Sequence, residues 1–334
     1  MPLAQKFRRG GKPELQGHTL NRLLAERGWL LADGATGTNL YNMGLAPGEA
    51  PDLWCETHPD RVADLHRRMI AAGADIVLTN SFGANACRLR LAGAEGRVHD
   101  LNRRAAGLAR AAADQADRPV LVAGSIGPTG EIMAPMGQLT EAEATRIFTD
   151  QAQGLKDGGA DLRWVETISA VEELRAAGAA ARAVGLPWCA MMSFEPGGWT
   201  MMGVTPPQLA ALVERLSPTP EAYGANCGTG PAELLQAVAG FAASGSERVM
   251  IAKPNAGVPR YQDGGLIYDA TPEAMAEFAV LARDLGVRII GGCCGTTPDH
   301  VAAMHQALHS RPRGPRPSPE VISARIGQAM GAED

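Results

Sequence analysis

The chain has 334 residues and a formal charge of −5; hydrophobic residues make up 45% of it and charged residues 20%. That length accommodates one large α/β domain or two smaller ones, with enough interior to bury most of what the unfolded chain exposes. The composition excludes several classes: no run of Lys and Arg is long enough for a nucleic-acid surface, no stretch of about 18 apolar residues could form a membrane-spanning helix, and six cysteines are too few for a disulfide scaffold.

The N-terminus, MPLAQKFRRGGKPELQGH, lacks the apolar stretch of a signal peptide; residues 1–27 read as a loosely ordered basic arm. The expected location is therefore the cytoplasm, where thiols stay reduced and clustered cysteines point to metal binding or catalysis. From residue 30 onward, short apolar runs alternate with helical patterns. The predicted strands are LLADG (30–34), DIVLTNSF (75–82), VLVAGSIG (120–127), DLRWVETI (161–168), WCAMMSF (188–194), AYGANCG (222–228), VMIAKPNAG (249–257) and RIIGGCCG (288–295). Helix starts are marked between them. Pro59 heads one helix, Thr140 and Glu143 form a capping pair, and Thr271-Pro272 and Thr297-Pro298 each set a cap before a proline.

This rhythm over residues 28–310 predicts an α/β fold, a (β/α)8 TIM barrel. A doubly wound open sheet would share the alternation, but the first strand lacks a Gly-rich phosphate-binding turn. Residues 311–334 open with the stiff RPRGPRPSPE and continue as VISARIGQAM, which reads as an oligomer contact or as a frayed tail.

A barrel carries its active site at the C-terminal ends of its strands. The polar residues expected there are Asp33, Asn80-Ser81, the Gly127–Gly130 turn, Glu166-Thr167, Asn226-Cys227, Pro254-Asn255 and Cys293-Cys294. Three of the six cysteines belong to this set. Cys55, Cys87 and Cys189 lie in helical or strand contexts and read as small buried hydrophobes. Adjacent strand residues point to opposite faces, so Cys293 and Cys294 can converge only if the chain leaves the strand path. Gly291, Gly292 and Gly295 permit that, and a vicinal disulfide is the rival reading.

With Cys227, the pair makes a three-thiolate set, the ligand number of a catalytic Zn2+ with an open fourth position. Such an electron-rich site would keep a further sulfur anionic and nucleophilic, favouring sulfur attack on carbon over hydrolysis. A closed structural zinc would need a fourth ligand; His300, in the first turn of the last predicted helix, reads instead as a solvated surface residue. Asp33 and Glu166 are either carboxylates satisfied by the protein itself or the receptors for a substrate ammonium.

The segments LADGATGT (31–38), DIVLTNSFGAN (75–85), AGSIGPTG (123–130), GGADLRWVET (158–167), GANCGTGP (224–231), KPNAGVP (253–259) and IIGGCCGTTPDHVAAM (289–304) resemble the homocysteine S-methyltransferase family. The resemblance implies a zinc cofactor on Cys227, Cys293 and Cys294, and homocysteine as the methyl acceptor. It also implies that Asp33 and Glu166 hold the amino end, with backbone near Asn226 and Ser125 lining the pocket. The chain is read as ending after one barrel, without folate or cobalamin domains. The MMG segment (201–203) and Pro-rich tail resemble the stand-alone bacterial betaine–homocysteine type. The expected reaction is therefore methyl transfer from a small donor, glycine betaine first, to zinc-bound homocysteine, giving methionine. S-methylmethionine or dimethylsulfoniopropionate are alternative donors. The barrel texture is equally close to the homocysteine module of cobalamin-dependent methionine synthase, which would make the chain one subunit of a split enzyme with a cobalamin-protein partner. A zinc-stabilised binding protein is the non-enzymatic alternative. Tyr41, Trp54, Phe82, Trp164 and Trp199 are the aromatics from which a cage for a quaternary ammonium would have to come, and the sequence places none.

Overall fold

The computed structural model describes residues 19–262 and 265–330. Eight strands form one parallel sheet: β1 (Leu30–Leu31), β2 (Ile76–Leu78), β3 (Leu121–Ile126), β4 (Leu162–Ile168), β5 (Trp188–Met192), β6 (Ala222–Cys227), β7 (Val249–Pro254) and β10 (Ile289–Ile290). The sheet runs β1-β10-β7-β6-β5-β4-β3-β2, and a parallel bridge from Ala32 to Ile76 joins its two edges. The expected barrel is thus closed. The first and last strands are shorter than predicted, although single backbone hydrogen bonds to the neighbouring strands continue past them, from Asp33 N–H to Ile76 O at 3.0 Å and from Gly291 N–H to Ala252 O at 3.1 Å. A small antiparallel hairpin, β8 (Arg260–Gln262) with β9 (Gly265–Ile267), stands in the connection after β7 and was not predicted.

Strand residues alternate between two cores, as period-2 geometry requires. Leu30, Ile76, Leu121, Leu162, Trp164, Cys189, Ile251 and Ile289 fill the barrel interior. Their neighbours Leu31, Val77, Val122, Val165, Ala190, Tyr223, Ala252 and Ile290 face the surrounding helices. The helices begin with the expected caps: Thr140 and Glu143 form a reciprocal capping box, and Thr271 accepts from Ala274 N–H at 3.2 Å. Thr205 and Gln208 form a further, unexpected box before Pro206–Val213.

Both terminal extensions contribute to this core. Of the N-terminal arm, residues 1–18 lie outside the described residues, but Leu20–Arg27 is a helix capped by Thr19. Its Leu20, Leu23 and Leu24 pack with the first inward residues of the strands and stop the bottom of the barrel. At the other end, Pro319–Ala329 is a helix whose Ile322 and Ile326 are buried in the outer core. The frayed-tail reading is therefore corrected: two apolar residues four apart give that helix one face to bury. Among the described residues no helix is long and apolar enough to cross a membrane.

Candidate active site

The inward parity that fills the barrel interior also delivers the site residues. Following Leu121 and Ala123 on β3, the next inward position is Ser125; on β4 it is Glu166 after Trp164, on β6 Asn226, and on β7 Lys253 after Ile251. All four side chains are buried, at one end of the barrel.

Cys227, Cys293 and Cys294 meet there. Their sulfurs all lie within 4.8 Å of one another, and Cys227 Sγ and Cys293 Sγ are 2.9 Å apart. All six cysteines are free thiols, so the vicinal disulfide is not formed. The convergence depends on unusual backbone. Cys227 has φ 60° and Thr167, on the bulged end of β4, has φ 63°; for a β-branched threonine this left-handed conformation is strained. The Cys293-Cys294 turn is packed on both sides: a Cβ on Gly292 would stand 2.3 Å from the Thr296 side chain, and one on Gly295 2.2 Å from the Tyr268 ring.

Backbone and amide groups lock this turn to its neighbours. Cys293 N–H donates to Pro254 O at 2.7 Å, and Asn255 Oδ1 accepts from Cys294 N–H at 3.0 Å while its Nδ2 donates to Gly228 O at 2.7 Å. Asn255 therefore ties the Cys227 loop to the Cys294 loop. Its place at a strand end is legible in the sequence; its role in joining the two loops is not. The Asn226 side chain accepts from Thr167 N–H at 2.8 Å and donates toward Cys227 Sγ at 3.4 Å and Cys293 Sγ at 3.8 Å. Its amide, as well as its backbone, belongs to the site.

The sulfur electrostatics describe a cluster that carries one negative charge by itself and could carry three only around a cation. Cys294 is pulled down to about 4, because Cys227 and then Cys293 hydrogen-bond to it. Cys227 is raised well above the usual thiol range by the contacts with Cys293 and Cys294, then by burial. The cluster readily holds one negative charge and resists a second. Three thiolates at this spacing require a positive ion among them, and the three sulfurs leave one side open to the adjoining cavity. The donor set fits a tetrahedral, thiophilic metal with a vacant position.

That cavity has a volume of about 470 Å³, and its wall includes Glu166, Lys253, Cys227, Cys293 and Cys294 together with Arg88. Glu166 accepts from the Ser125 hydroxyl at 2.5 Å, and burial pushes its carboxyl up to about 7 against the opposing pull of Lys253. Asp33 is held differently. Its Oδ2 accepts from Leu78 N–H at 2.7 Å and its Oδ1 from Lys253 Nζ at 3.0 Å. Asp33 thus meets the cavity through Lys253. Lys253 was missed as a site residue, although a lysine at an inward position within VMIAKP was the available signal.

The remaining expectations divide. His300 is buried, not solvated: Thr297 N–H donates to Nδ1 at 3.1 Å, which leaves Nε2–H to donate to Ala270 O at 2.9 Å. Both ring nitrogens are used in the helix cap, so it is also no ligand to the sulfur site. Cys55 and Cys189 are buried and their thiols are raised by burial; Cys87 is only half-buried, on the short helix Ala86–Leu89. Of the five aromatics, Tyr41 and Phe82 reach the cavity wall, Trp54 and Trp164 are core residues, and Trp199 is exposed after β5.

The family model for homocysteine S-methyltransferase matches residues 30–308. The chain belongs to the homocysteine S-methyltransferase family. Its curated relatives include the methionine synthases of Mycobacterium leprae and Mycobacterium tuberculosis, each 32% identical over 295 residues. The match covers 84% of this chain and 24% of each relative, so the chain spans about a quarter of their length. Among solved structures, the metallated form of the homocysteine methyltransferase MmuM from Escherichia coli superposes with a TM-score of 0.73 at 24% identity, covering 86% of this chain and 99% of that one. The oxidized form of MmuM gives 0.71 at the same identity, covering 86% and 98%. These two share the fold of this homocysteine S-methyltransferase family member.

Proposed function

We propose that this chain is a zinc-dependent methyltransferase that moves a methyl group from a small onium donor, glycine betaine first, to the thiol sulfur of homocysteine, giving methionine. The observation that carries the reading is the convergence of Cys227, Cys293 and Cys294 on the wall of a cavity also walled by Glu166 and Lys253. Zinc on the three sulfurs would supply a position where a substrate thiol loses its proton at neutral pH and stays nucleophilic. The protein's own groups do the rest. Asn226 donates to two of the sulfurs and keeps them oriented. Glu166, steadied by Ser125, receives the homocysteine ammonium, and Asp33 acts on the same end through Lys253. In the transfer the sulfur forms a bond to the methyl carbon as the carbon–nitrogen bond of betaine breaks, leaving dimethylglycine.

The decisive measurement is methionine formation by purified protein with zinc, reductant and homocysteine. Glycine betaine is expected to serve; S-methylmethionine and dimethylsulfoniopropionate are the other arms. No product from any of the three sinks the small-donor reading. Cys227→Ala, Cys293→Ala and Cys294→Ala are each expected to lose stoichiometric zinc and activity together. Glu166→Ala should keep its zinc and bind homocysteine more weakly.

A second reading has its own support. Among the described residues, twelve of the fourteen exposed large hydrophobic side chains, Leu91, Met136, Trp199, Met201 and Tyr261 among them, stand on the strand-to-helix connections at the site end of the barrel. An apolar rim of this kind suits a docking protein, and the curated relatives are longer methionine synthases. On this reading the methyl group arrives on a cobalamin protein, and activity is expected only when that protein is added.

A further inference from the structure

Two cationic side chains, Lys253 and Arg88, stand in the cavity wall. Lys253 is neutralised by Asp33 at 3.0 Å. Arg88 is not neutralised in this way. Among the described residues no carboxylate lies within 4.0 Å of its guanidinium, whereas Arg90, two residues on, pairs with Glu131 at 2.7 Å on the surface. Two acids, Asp52 and Glu173, feel its charge without reaching salt-bridge distance, and each has an oxygen committed to other donors. Asp52 Oδ1 accepts from Gly83 N–H at 3.0 Å, and Glu173 Oε1 accepts from Thr129 N–H and from its hydroxyl, both at 2.7 Å.

The guanidinium is nevertheless fixed in place. Arg88 Nε donates to Pro128 O at 3.1 Å, and Arg88 N–H donates to Asn85 Oδ1 at 3.1 Å, anchoring the start of its helix. Its Cζ lies 5.7 Å from the centre of the Phe82 ring. Phe82 is seated in turn on Gly127, where a Cβ would come within 2.6 Å of the ring. Nε is used by the backbone, and the two terminal nitrogens have no protein partner among the described residues. A planar donor fork held in this way matches a carboxylate.

We infer that Arg88 is the carboxylate anchor of the cavity. It takes the carboxylate of an amino-acid-like ligand whose other end lies toward the sulfurs. The inference rests on the methyl-transfer reading above and adds a binding site to it. Both homocysteine and glycine betaine carry a carboxylate, so the ligand chemistry has two sources that experiment separates.

The test is calorimetric binding to the zinc-loaded wild type and to Arg88→Met and Arg88→Lys. The ligands are homocysteine, its decarboxylated counterpart 3-aminopropane-1-thiol, glycine betaine, and tetramethylammonium as betaine without its carboxylate. Arg88→Met is expected to weaken homocysteine or betaine by about ten- to a hundredfold, the loss of a charged hydrogen bond, and to leave its carboxylate-free partner within about twofold. The pair that responds identifies the source. Arg88→Lys keeps the charge without the fork and should recover part of the loss. Equal weakening of both members of each pair, no weakening of either, or no carboxylate ligand bound by the wild type overturns the inference. The ligand comparison within the wild type reads independently of whether a variant folds: removing the carboxylate must itself cost binding in the pair that responds. Methionine formation is a separate readout, so binding that survives without turnover counts against the proposed reaction and not against Arg88.

Discussion

Lys253 and Asp33 show how much a single buried pair commits. Their side chains are 1% and 3% exposed, and Lys253 Nζ lies 5.5 Å from the Trp164 ring centre. Taking both charges out of water is costly, and removing one partner leaves the other uncompensated. Lys253→Met is therefore expected to lose roughly 3–5 kcal/mol of unfolding free energy, read by urea titration. Adding Asp33→Asn should restore much of it, because the stranded carboxylate is then gone. An unchanged midpoint in the single variant would mean that Asp33 finds another partner. Asp33 and Glu166 were legible as strand-end carboxylates. That one is paired to a lysine and the other to Ser125 was not, because the residue facing each is 220 or 41 positions away and is chosen by strand order.

At the scale of elements, the helix Pro59–Ala71 carries His66, which is buried and whose Nε2 has no partner among the described residues. Burial pushes this imidazole down to about 4 from its ordinary 6.5. The folded state then binds its proton less tightly than the unfolded state. The stability is complete above the ordinary value and is lost as pH falls from about 6.5 toward about 4. Glu166 and Asp52, raised by burial to about 7 and about 6, act with the opposite sign over an overlapping range. The informative quantity is thus a difference. Between pH 6.5 and 4.5, His66→Gln should lose less stability than the wild type, by up to about 1.4 kcal/mol per pH unit. Parallel pH profiles would show that His66 does not titrate in this way. The C-terminal helix makes an independent test, for Ile322 is fully buried. Ile322→Ala is expected to cost roughly 2–4 kcal/mol, which a frayed segment would not. The helix face was visible in VISARIGQAM; its docking surface is built by the helices Pro231–Ala243 and Pro272–Leu285 and has no local signature.

Across the whole molecule, chemistry and apolar surface share one end of the barrel, while the other end is stopped by Leu20, Leu23 and Leu24. The rim separates the two accounts of the donor. With a free donor, Trp199→Glu together with Met201→Glu should leave betaine kinetics within about twofold, since both side chains are exposed and outside the cavity wall. With a methyl-carrying protein the same pair should raise the KM for that protein by tenfold or more, because charges buried at an apolar interface are penalised.

The sequence by itself determined the alternation of strands and helices, the polar strand ends and the three cysteines apart from the other three. These follow from local rules: period-2 burial, capping and proline placement, and glycine beside a turn. Only the tertiary structure decided that Lys253 neutralises Asp33, that the Asn226 amide serves the sulfurs, that His300 is a cap, and that both terminal segments pack into the core. Each of those depends on which strand ends become neighbours when the sheet closes with β1 between β10 and β2. Closure is a property of the whole set of strands, and no window of the sequence contains it.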